Sequence, residues 1–459
     1  MPLLIKNGEI VNADSRFFAD IYAENETITR IGRDLEVPPE TEIIDATGKL
    51  VFPGFIDPHV HVYLPFMATF AKDTHETASI AALVGGTTTY IEMCCPSRMD
   101  DAMEGYQLWK RKAEGSSACD YTFHMSVTKF DDITESQLRE IVKDGIASFK
   151  IFLAYKNFFG VDDGEAYQTM KLAKELGVIV TAHCENAELV SRLQANLISQ
   201  GKTGPEWHEP SRPESVEAEG TNRFATFLEN TGAAGYVVHL SCQPALERAA
   251  AAKARGTRLF VESVLPHFLL DKTYAEREGL DGMKHLMSPP LRDKRNQVHL
   301  WNALGSGTID TVGTDHCPFD LDQKLLGKDA FTNVPNGIPG IEERVNLLYT
   351  HGYKAGRIDI HRFVDAASTR AAKIFGLFPR KGTLSVGSDA DIVVFDPNYR
   401  GTVSVNTQHT NNDYNGFEGM SIEGRPSVVT VRGRVQVRDG QFTGERGIGK
   451  LIRREPMYF

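Results

Sequence analysis

The sequence predicts an α/β protein whose main body is a (β/α)8 TIM barrel, joined by a discontinuous β-sandwich domain built from both ends of the chain. Between residues 50 and 320 one rhythm recurs eight times: a short β-branched or aromatic run, a polar residue, then a longer segment at helical spacing. Alternating segments punctuated by Gly, Asn and Pro flank that region on both sides. At about 150 residues per domain, 459 residues also leave room for one large barrel of roughly 250 residues or more and a smaller unit.

The eight runs are VFPGFID (51–57), TTTYIEM (87–93), YTFHMSV (121–127), SFKIFLA (148–154), VIVTAH (178–183), YVVHLS (236–241), LFVESV (259–264) and IDTVGTDH (309–316). Helical stretches separate several of them, at 165–176, 214–231 and 243–255, and two more, 341–351 and 360–375, follow the eighth. Such strands close as a parallel barrel with polar residues at their C-termini lining the active site. Residues 2–50 hold LLIKNGEIVN, ADIYAENETITRIG and TEIIDATGKL, and residues 381–444 hold GTLSVGSDADIVVFD, SVVTVRGRVQV and RDGQFTG. An open strand edge on one flank can be covered by the other. The expected division is therefore 53–379 for the barrel and 1–52 with 380–459 for the sandwich. The last residues, GKLIRREPMYF, lack periodicity and are expected to form an arm docked on a neighbouring subunit or a simple tail.

Composition excludes several classes. With 41% hydrophobic and 24% charged residues the chain is neither collagen-like, coiled-coil nor disordered. The charge, 50 − 61 = −11, is spread thinly, which argues against a nucleic-acid partner. MPLLIKNGEIVNAD is not a signal sequence, and no apolar run approaches the 18 or so residues of a membrane span. A cytoplasmic protein is expected. Six scattered cysteines without a CxxC make neither a disulfide framework nor a structural zinc ribbon.

Chemistry concentrates at strand ends. The first run leads into Asp57-Pro58-His59-Val60-His61, and residues i and i+2 of a strand point to one side, so both imidazoles aim together into the barrel mouth. The fifth run ends in His183, the sixth carries His239 and the eighth carries Asp315. Left unpaired inside a protein, such groups are costly. Together they make a metal site whose nitrogen-rich set suits zinc or another late divalent ion. Lys150 lies within SFKIFLA, where a free ammonium is disfavoured or deprotonates. Its stem is either buried with the amine reaching the rim, or the amine is converted by CO₂ to a carbamate that bridges two metals. The second reading accommodates five neighbouring ligands, more than one tetrahedral zinc uses.

DPHVH (57–61), SFKIF (148–152), TAHCEN (181–186), VVHLS (237–241), SPPLR (288–292) and GTDHCPF (313–319) together resemble the amidohydrolase superfamily. Within it the chain is similar, along essentially its whole length, to the cyclic amidohydrolases, the group of D-hydantoinases and dihydropyrimidinases. The resemblance implies a binuclear zinc centre, with His59, His61 and Asp315 on one ion, His183 and His239 on the other, and carbamylated Lys150 bridging. It implies attack by a hydroxide shared between the metals, Asp315 carrying the proton to the leaving nitrogen. The substrate implied is a cyclic ureide, a 5-substituted hydantoin or a dihydropyrimidine, opened D-selectively to an N-carbamoyl amino acid. Tyr155 would stabilise the oxyanion, and backbone groups at Ser288 and Asn336 would bind the ring's amide edge. Leu64 and Phe66, with Phe152 and Phe159, would shape the space around the substituent. A homotetramer is the implied assembly. With activated water available, Cys317 needs no nucleophilic role.

Allantoinases and dihydroorotases share the ligand set. Dihydroorotases normally carry an arginine close after the HxH pair, where this chain has the apolar setting Tyr63-Leu64-Pro65. Non-catalytic dihydropyrimidinase-related scaffolds lose ligands, whereas all six positions are intact here.

Overall fold

The computed structural model describes residues 2–156 and 158–457. Its centre is a sheet of eight strands paired in chain order: β1 (Phe55–Val60), β2 (Thr87–Cys94), β3 (Asp120–Ser126), β4 (Ser148–Phe152), β5 (Ile179–His183), β6 (Gly235–Val237), β7 (Leu259–Val264) and β8 (Thr311–Gly313). Every pairing is parallel. The ring is drawn nearly shut just past the strand ends, where Asp315 N–H donates to His59 C=O (3.0 Å) and His61 N–H to His316 C=O (2.8 Å). A parallel sheet covered on both faces needs apolar residues on both, which is why the strands read as continuous apolar runs. Helices surround it: α1 (His75–Val84), α2 (Ala102–Ala113), α3 (Asp132–Lys143), α4 (Asp163–Leu176), α5 (Ala187–Ser199), α6 (Glu214–Thr231), α7 (Gln243–Ala254) and α8 (Arg295–Ser306). Side chains of Thr74, Asp101, Asp131, Asp162 and Asn186 accept the free N–H groups that start the first five of these.

Two flanking sheets share the apolar core of Leu3, Ile5, Ile21, Ile44, Ile392 and Val394. The four-stranded one comes from residues 3–45. The seven-stranded one joins both chain ends: Leu50–Pro53 lies between Glu9–Val11 and Ile392–Thr402, and Val51 pairs antiparallel with Val394.

Several elements differ from the sequence expectation. The run at 51–57 is divided: Leu50–Pro53 belongs to the seven-stranded sheet and the barrel begins at Phe55. Gly54 makes the passage, because a Cβ there would lie 2.0 Å from Thr88 Oγ1. β6 and β8 stop at Val237 and Gly313, leaving His239 and Asp315 beyond them. The helices expected at 341–351 and 360–375 are short α segments interrupted by π-helical turns at Tyr349–Lys354 and Asp365–Thr369. In the second of these turns Ala367 C=O accepts from the buried guanidinium of Arg344 (3.2 Å), and the Ser368 hydroxyl donates to Gly54 C=O (2.7 Å). These are outside partners of the kind that stabilise a widened turn. Through Met457 the C-terminal segment packs on this chain's own barrel. Ile452 N–H donates to Tyr121 C=O, Arg454 N–H to Gly145 C=O and Met457 N–H to Gly177 C=O, across the N-terminal ends of this chain's own β3, β4 and β5. Tyr458 and Phe459 lie outside the described residues. Among the described residues no helix is long and apolar enough to cross a membrane.

Barrel and sandwich are tied by a buried charge cluster. Lys381 Nζ lies 2.6 Å from Asp120 at the start of β3, 2.7 Å from Asp391 and 3.0 Å from Asp389, and Arg432 also meets Asp120. Removing one partner of such a cluster strands the others in low dielectric. Lys381→Met is therefore expected to lose roughly 3–5 kcal/mol in denaturant unfolding at neutral pH, a deficit that narrows in acid as the carboxylates protonate. An unchanged unfolding midpoint would show that the cluster does not hold the domains.

Candidate metal centre

The strand C-termini deliver the predicted ligands to one place. His59 and His61 leave β1 on the same side, and Asp315 Oδ1 lies 3.1 Å from His59 Nε2 and 3.2 Å from His61 Nε2. Ligand atoms of these three residues lie within 4.8 Å of one another. The His59 and His239 rings are 5.4 Å apart, and those of His239 and His183 4.6 Å. Lys150, fully buried on β4, stands beside Thr181 of β5 and presents Nζ 4.8 Å from the centre of the Phe152 ring. One cavity of about 40 Å³ is lined by His61, Lys150, His183, His239 and Asp315, with His59 directly behind.

The proposed substrate residues are gathered there too. Leu64, Phe66, Phe152, Tyr155, Phe159, Ser288 and Asn336 all line that cavity. Phe66 sits on a two-stranded hairpin, Pro65–Phe66 against Thr69–Phe70, and its ring stacks on Phe159 at 6.1 Å. Asn336 Nδ2 donates to Ser288 Oγ (2.9 Å). A neighbouring cavity of about 980 Å³, bounded by Met67, Met103, Leu108 and Trp109, shares Phe66 and Phe159 with the site but carries none of the ligand residues.

Behind the ligands stand residues the sequence reading did not single out. Glu262 of β7 accepts from His59 Nδ1 (2.8 Å), from His239 N–H (3.0 Å) and from the Tyr236 hydroxyl (2.8 Å). Its signal was available, a lone carboxylate inside the apolar run LFVESV. Glu185 accepts from His183 Nε2 (2.7 Å) and from Arg212 (2.5 Å). With one ring nitrogen given to a carboxylate, the other is left for a ligand, which is how such contacts set tautomer and orientation. Tyr155, His239 and Asp315 adopt φ of 55°, 42° and 51°, the left-handed region that non-glycine residues rarely enter. Strain of this kind persists where surrounding structure holds it and gathers at functional sites. No sequence pattern announces it.

Electrostatics prepare the donor set. Burial pushes His61 down to about 4 and holds His183 and His239 below the ordinary imidazole range, so their lone pairs are free. Burial also opposes charge on His59, but Asp315 and Glu262 outweigh it and raise this imidazole to about 9. For Asp315 burial favours the neutral acid, yet His59 and His61 keep it well below the usual carboxylate range. Burial lowers Lys150 to about 8, toward the neutral amine that adds CO₂, and raises Tyr155 to about 12, so its hydroxyl remains a donor. Burial likewise keeps the Cys317 thiol protonated, against a nucleophilic role. Lys150 Nζ is fully buried without a hydrogen-bond partner among the described residues. An orphaned amine amid imidazoles and a carboxylate fits a divalent metal centre.

The family model described as "Amidohydrolase family" matches residues 50–436. The chain belongs to the amidohydrolase family. Within it, the chain groups with D-hydantoinases and dihydropyrimidinases. It is 44% identical to the D-hydantoinase of Geobacillus stearothermophilus over 456 residues, covering 99% of this chain and 97% of that one. It is 40% identical to the dihydropyrimidinase of Rattus norvegicus, over 99% of this chain and 89% of that one. Among solved structures, the D-hydantoinase (dihydropyrimidinase) from Thermus sp. superposes with a TM-score of 0.99 at 80% identity over the whole of both chains. The L-hydantoinase (dihydropyrimidinase) from Arthrobacter aurescens superposes at 0.90 with 28% identity over 98% of this chain and 99% of that one.

In this amidohydrolase Glu262 braces His59 and, through its backbone, His239. Glu262→Gln is expected to weaken metal retention roughly 10–100-fold, measured by competition with a chelator. Retention equal to that of the unaltered protein would remove Glu262 from the support of the centre.

Proposed function

We propose that this amidohydrolase opens the cyclic amide bond of 5-substituted hydantoins and dihydropyrimidines to N-carbamoyl amino acids, with D selectivity. The observation that carries the reading is the convergence of five ligand-type residues, with His59 directly behind them, and of Tyr155, Ser288 and Asn336 on one cavity. The names borne by the relatives support the same substrate class.

His59, His61 and Asp315 would hold one zinc ion and His183 and His239 a second, with carbamylated Lys150 as a ligand to both; bound there, the ions would supply Lewis acidity and acidify water. Asp315, ionised because His59 and His61 face it, accepts a proton from the attacking water and returns it to the ring nitrogen as that bond breaks. Tyr155 keeps its phenolic proton and donates to the oxygen on which charge develops. Backbone groups at Ser288 and Asn336 hold the ring's amide edge. Leu64, Phe66, Phe152 and Phe159 wall the space around the substituted carbon, where an apolar surface favours one configuration. The fold is shared with an L-hydantoinase, so selectivity is assigned to these walls rather than to the barrel. A cytoplasmic homotetramer acting on a small uncharged ring, without nucleic acid or membrane, completes the reading.

Turnover of dihydrouracil, hydantoin, D- and L-5-substituted hydantoins, allantoin and dihydroorotate by zinc- and bicarbonate-loaded protein tests it. Opening of the first two and of the D-substituted hydantoins is expected. Preference for allantoin would replace the reading, and failure to open any ring would end it. Lys150→Ala is expected to abolish activity and lower metal content, with partial recovery of both on adding a short carboxylic acid. Full metal content without any added anion would refute the carbamate.

A further inference from the structure

Lys324 ends the short helix Leu321–Lys324 and is completely buried, yet no carboxylate pairs with it among the described residues. Its ammonium sits in a cage of carbonyls instead, 2.7 Å from Pro335 C=O, 2.8 Å from Gly337 C=O and 3.4 Å from Leu286 C=O. The Phe319 ring lies beside it, 5.7 Å from Nζ to the ring centre. Burial pushes this amine down to about 7, and every N–H it keeps needs an acceptor in so dry a place, so its donors commit these carbonyls to one arrangement.

The caged carbonyls come from two segments that form one wall of the candidate site. Leu286 lies two residues before Ser288, and Pro335 and Gly337 flank Asn336. The segments also bond each other directly, Gly337 N–H to the same Leu286 C=O (2.8 Å) and Asn336 Nδ2 to Ser288 Oγ (2.9 Å), and Lys324 adds the tie that fixes the Pro335 and Gly337 carbonyls. Gly337 is pressed from the far side: at its φ of +149° a Cβ would lie 2.2 Å from Cys317 C=O. In a planar trans peptide the N–H points opposite to the C=O. Turning Pro335 C=O onto Lys324 therefore turns Asn336 N–H away from it. That N–H meets no backbone carbonyl of the described residues and belongs to a residue lining the cavity.

We propose that Lys324 is a positioning residue for ring recognition: its carbonyl cage clamps segments 286–288 and 335–337 at the spacing and peptide orientation that present their backbone groups to an amide edge. This rests on the reading of Ser288 and Asn336 given above. The clamp touches neither the reacting atoms nor the metal ligands, so it governs binding of the ring more than its chemistry.

The test compares Lys324→Met, which keeps the stem and removes the donors, with Lys324→Arg, which keeps a cation with donors. For dihydrouracil, Lys324→Met is expected to raise KM at least about tenfold, the scale of one charge-assisted hydrogen bond lost from alignment. Its kcat should stay within about threefold and its metal content should equal that of the unaltered protein. Lys324→Arg should recover part of the KM. A KM within about twofold of the unaltered protein's overturns the clamp, as does a joint collapse of kcat and metal content, which marks a general structural role. Should Lys324→Met not fold, Lys324→Gln is judged by the same criteria. The unaltered protein runs in the same assay: if it opens no ring, the proposed function fails and takes the clamp with it, whereas turnover with an unchanged variant KM overturns the clamp alone.

Discussion

Barrel closure and the candidate metal centre are made by the same few atoms of backbone. Asp315 donates its N–H to His59 C=O while its carboxylate faces the His59 and His61 rings. His61 in turn donates its N–H to His316 C=O. The last strand therefore meets the first through the residues that would hold an ion. The backbone at Asp315 cannot shift without opening the ring of strands. The left-handed φ at Asp315 is affordable for this reason: hydrogen bonds on both sides of the residue hold a conformation that an isolated chain would leave.

Around that junction the interior is organised by paired charges. Glu262 meets His59, His239 and Tyr236, Glu185 meets His183 and Arg212, and the buried Arg292 meets Glu217 and Ser241. Networks of this type contribute little net stability, since desolvation offsets much of the Coulomb gain. Their worth here is directional. Glu262 and Glu185 each fix the tilt of an imidazole, and hydrogen bonds made in low dielectric allow few alternatives.

The flanking sheets take part in the same economy of position. Lys381 joins the start of β3 to the strand that begins at Ile392. From the C-terminal segment, Arg454 donates to Ser148 Oγ (2.9 Å), Ser148 meets His124 (2.7 Å), and His124 reaches Pro58 C=O (3.0 Å), one residue before His59. A chain of buried hydrogen bonds thus runs from the C-terminal arm to the first ligand strand. The arm lacks any periodicity in sequence because it forms no regular element. Its place is set by backbone hydrogen bonds to β-strand ends and by two arginines, Arg453 on Asp144 and the buried Arg454.

The barrel strands and ligand types were legible in the sequence because both follow from short-range rules. Apolar runs mark strands buried on both faces, and the i, i+2 spacing of His59 and His61 fixes a common side. Strand limits were less legible: Pro53-Gly54 divides one apolar run between two sheets, and His239 and Asp315 fall beyond strands whose pattern continues through them. Glu262, Glu185 and Lys324 had only a local signal, a charge among apolar or loop residues, with no indication of its partner. The amino-acid sequence by itself determined which residues can bind a metal and that strand ends would carry them. Only the tertiary structure decided which imidazole each carboxylate orients, which peptide carbonyls a buried lysine collects and which residues sit in strained backbone, because those contacts join segments tens to hundreds of residues apart and depend on packing that no local pattern encodes.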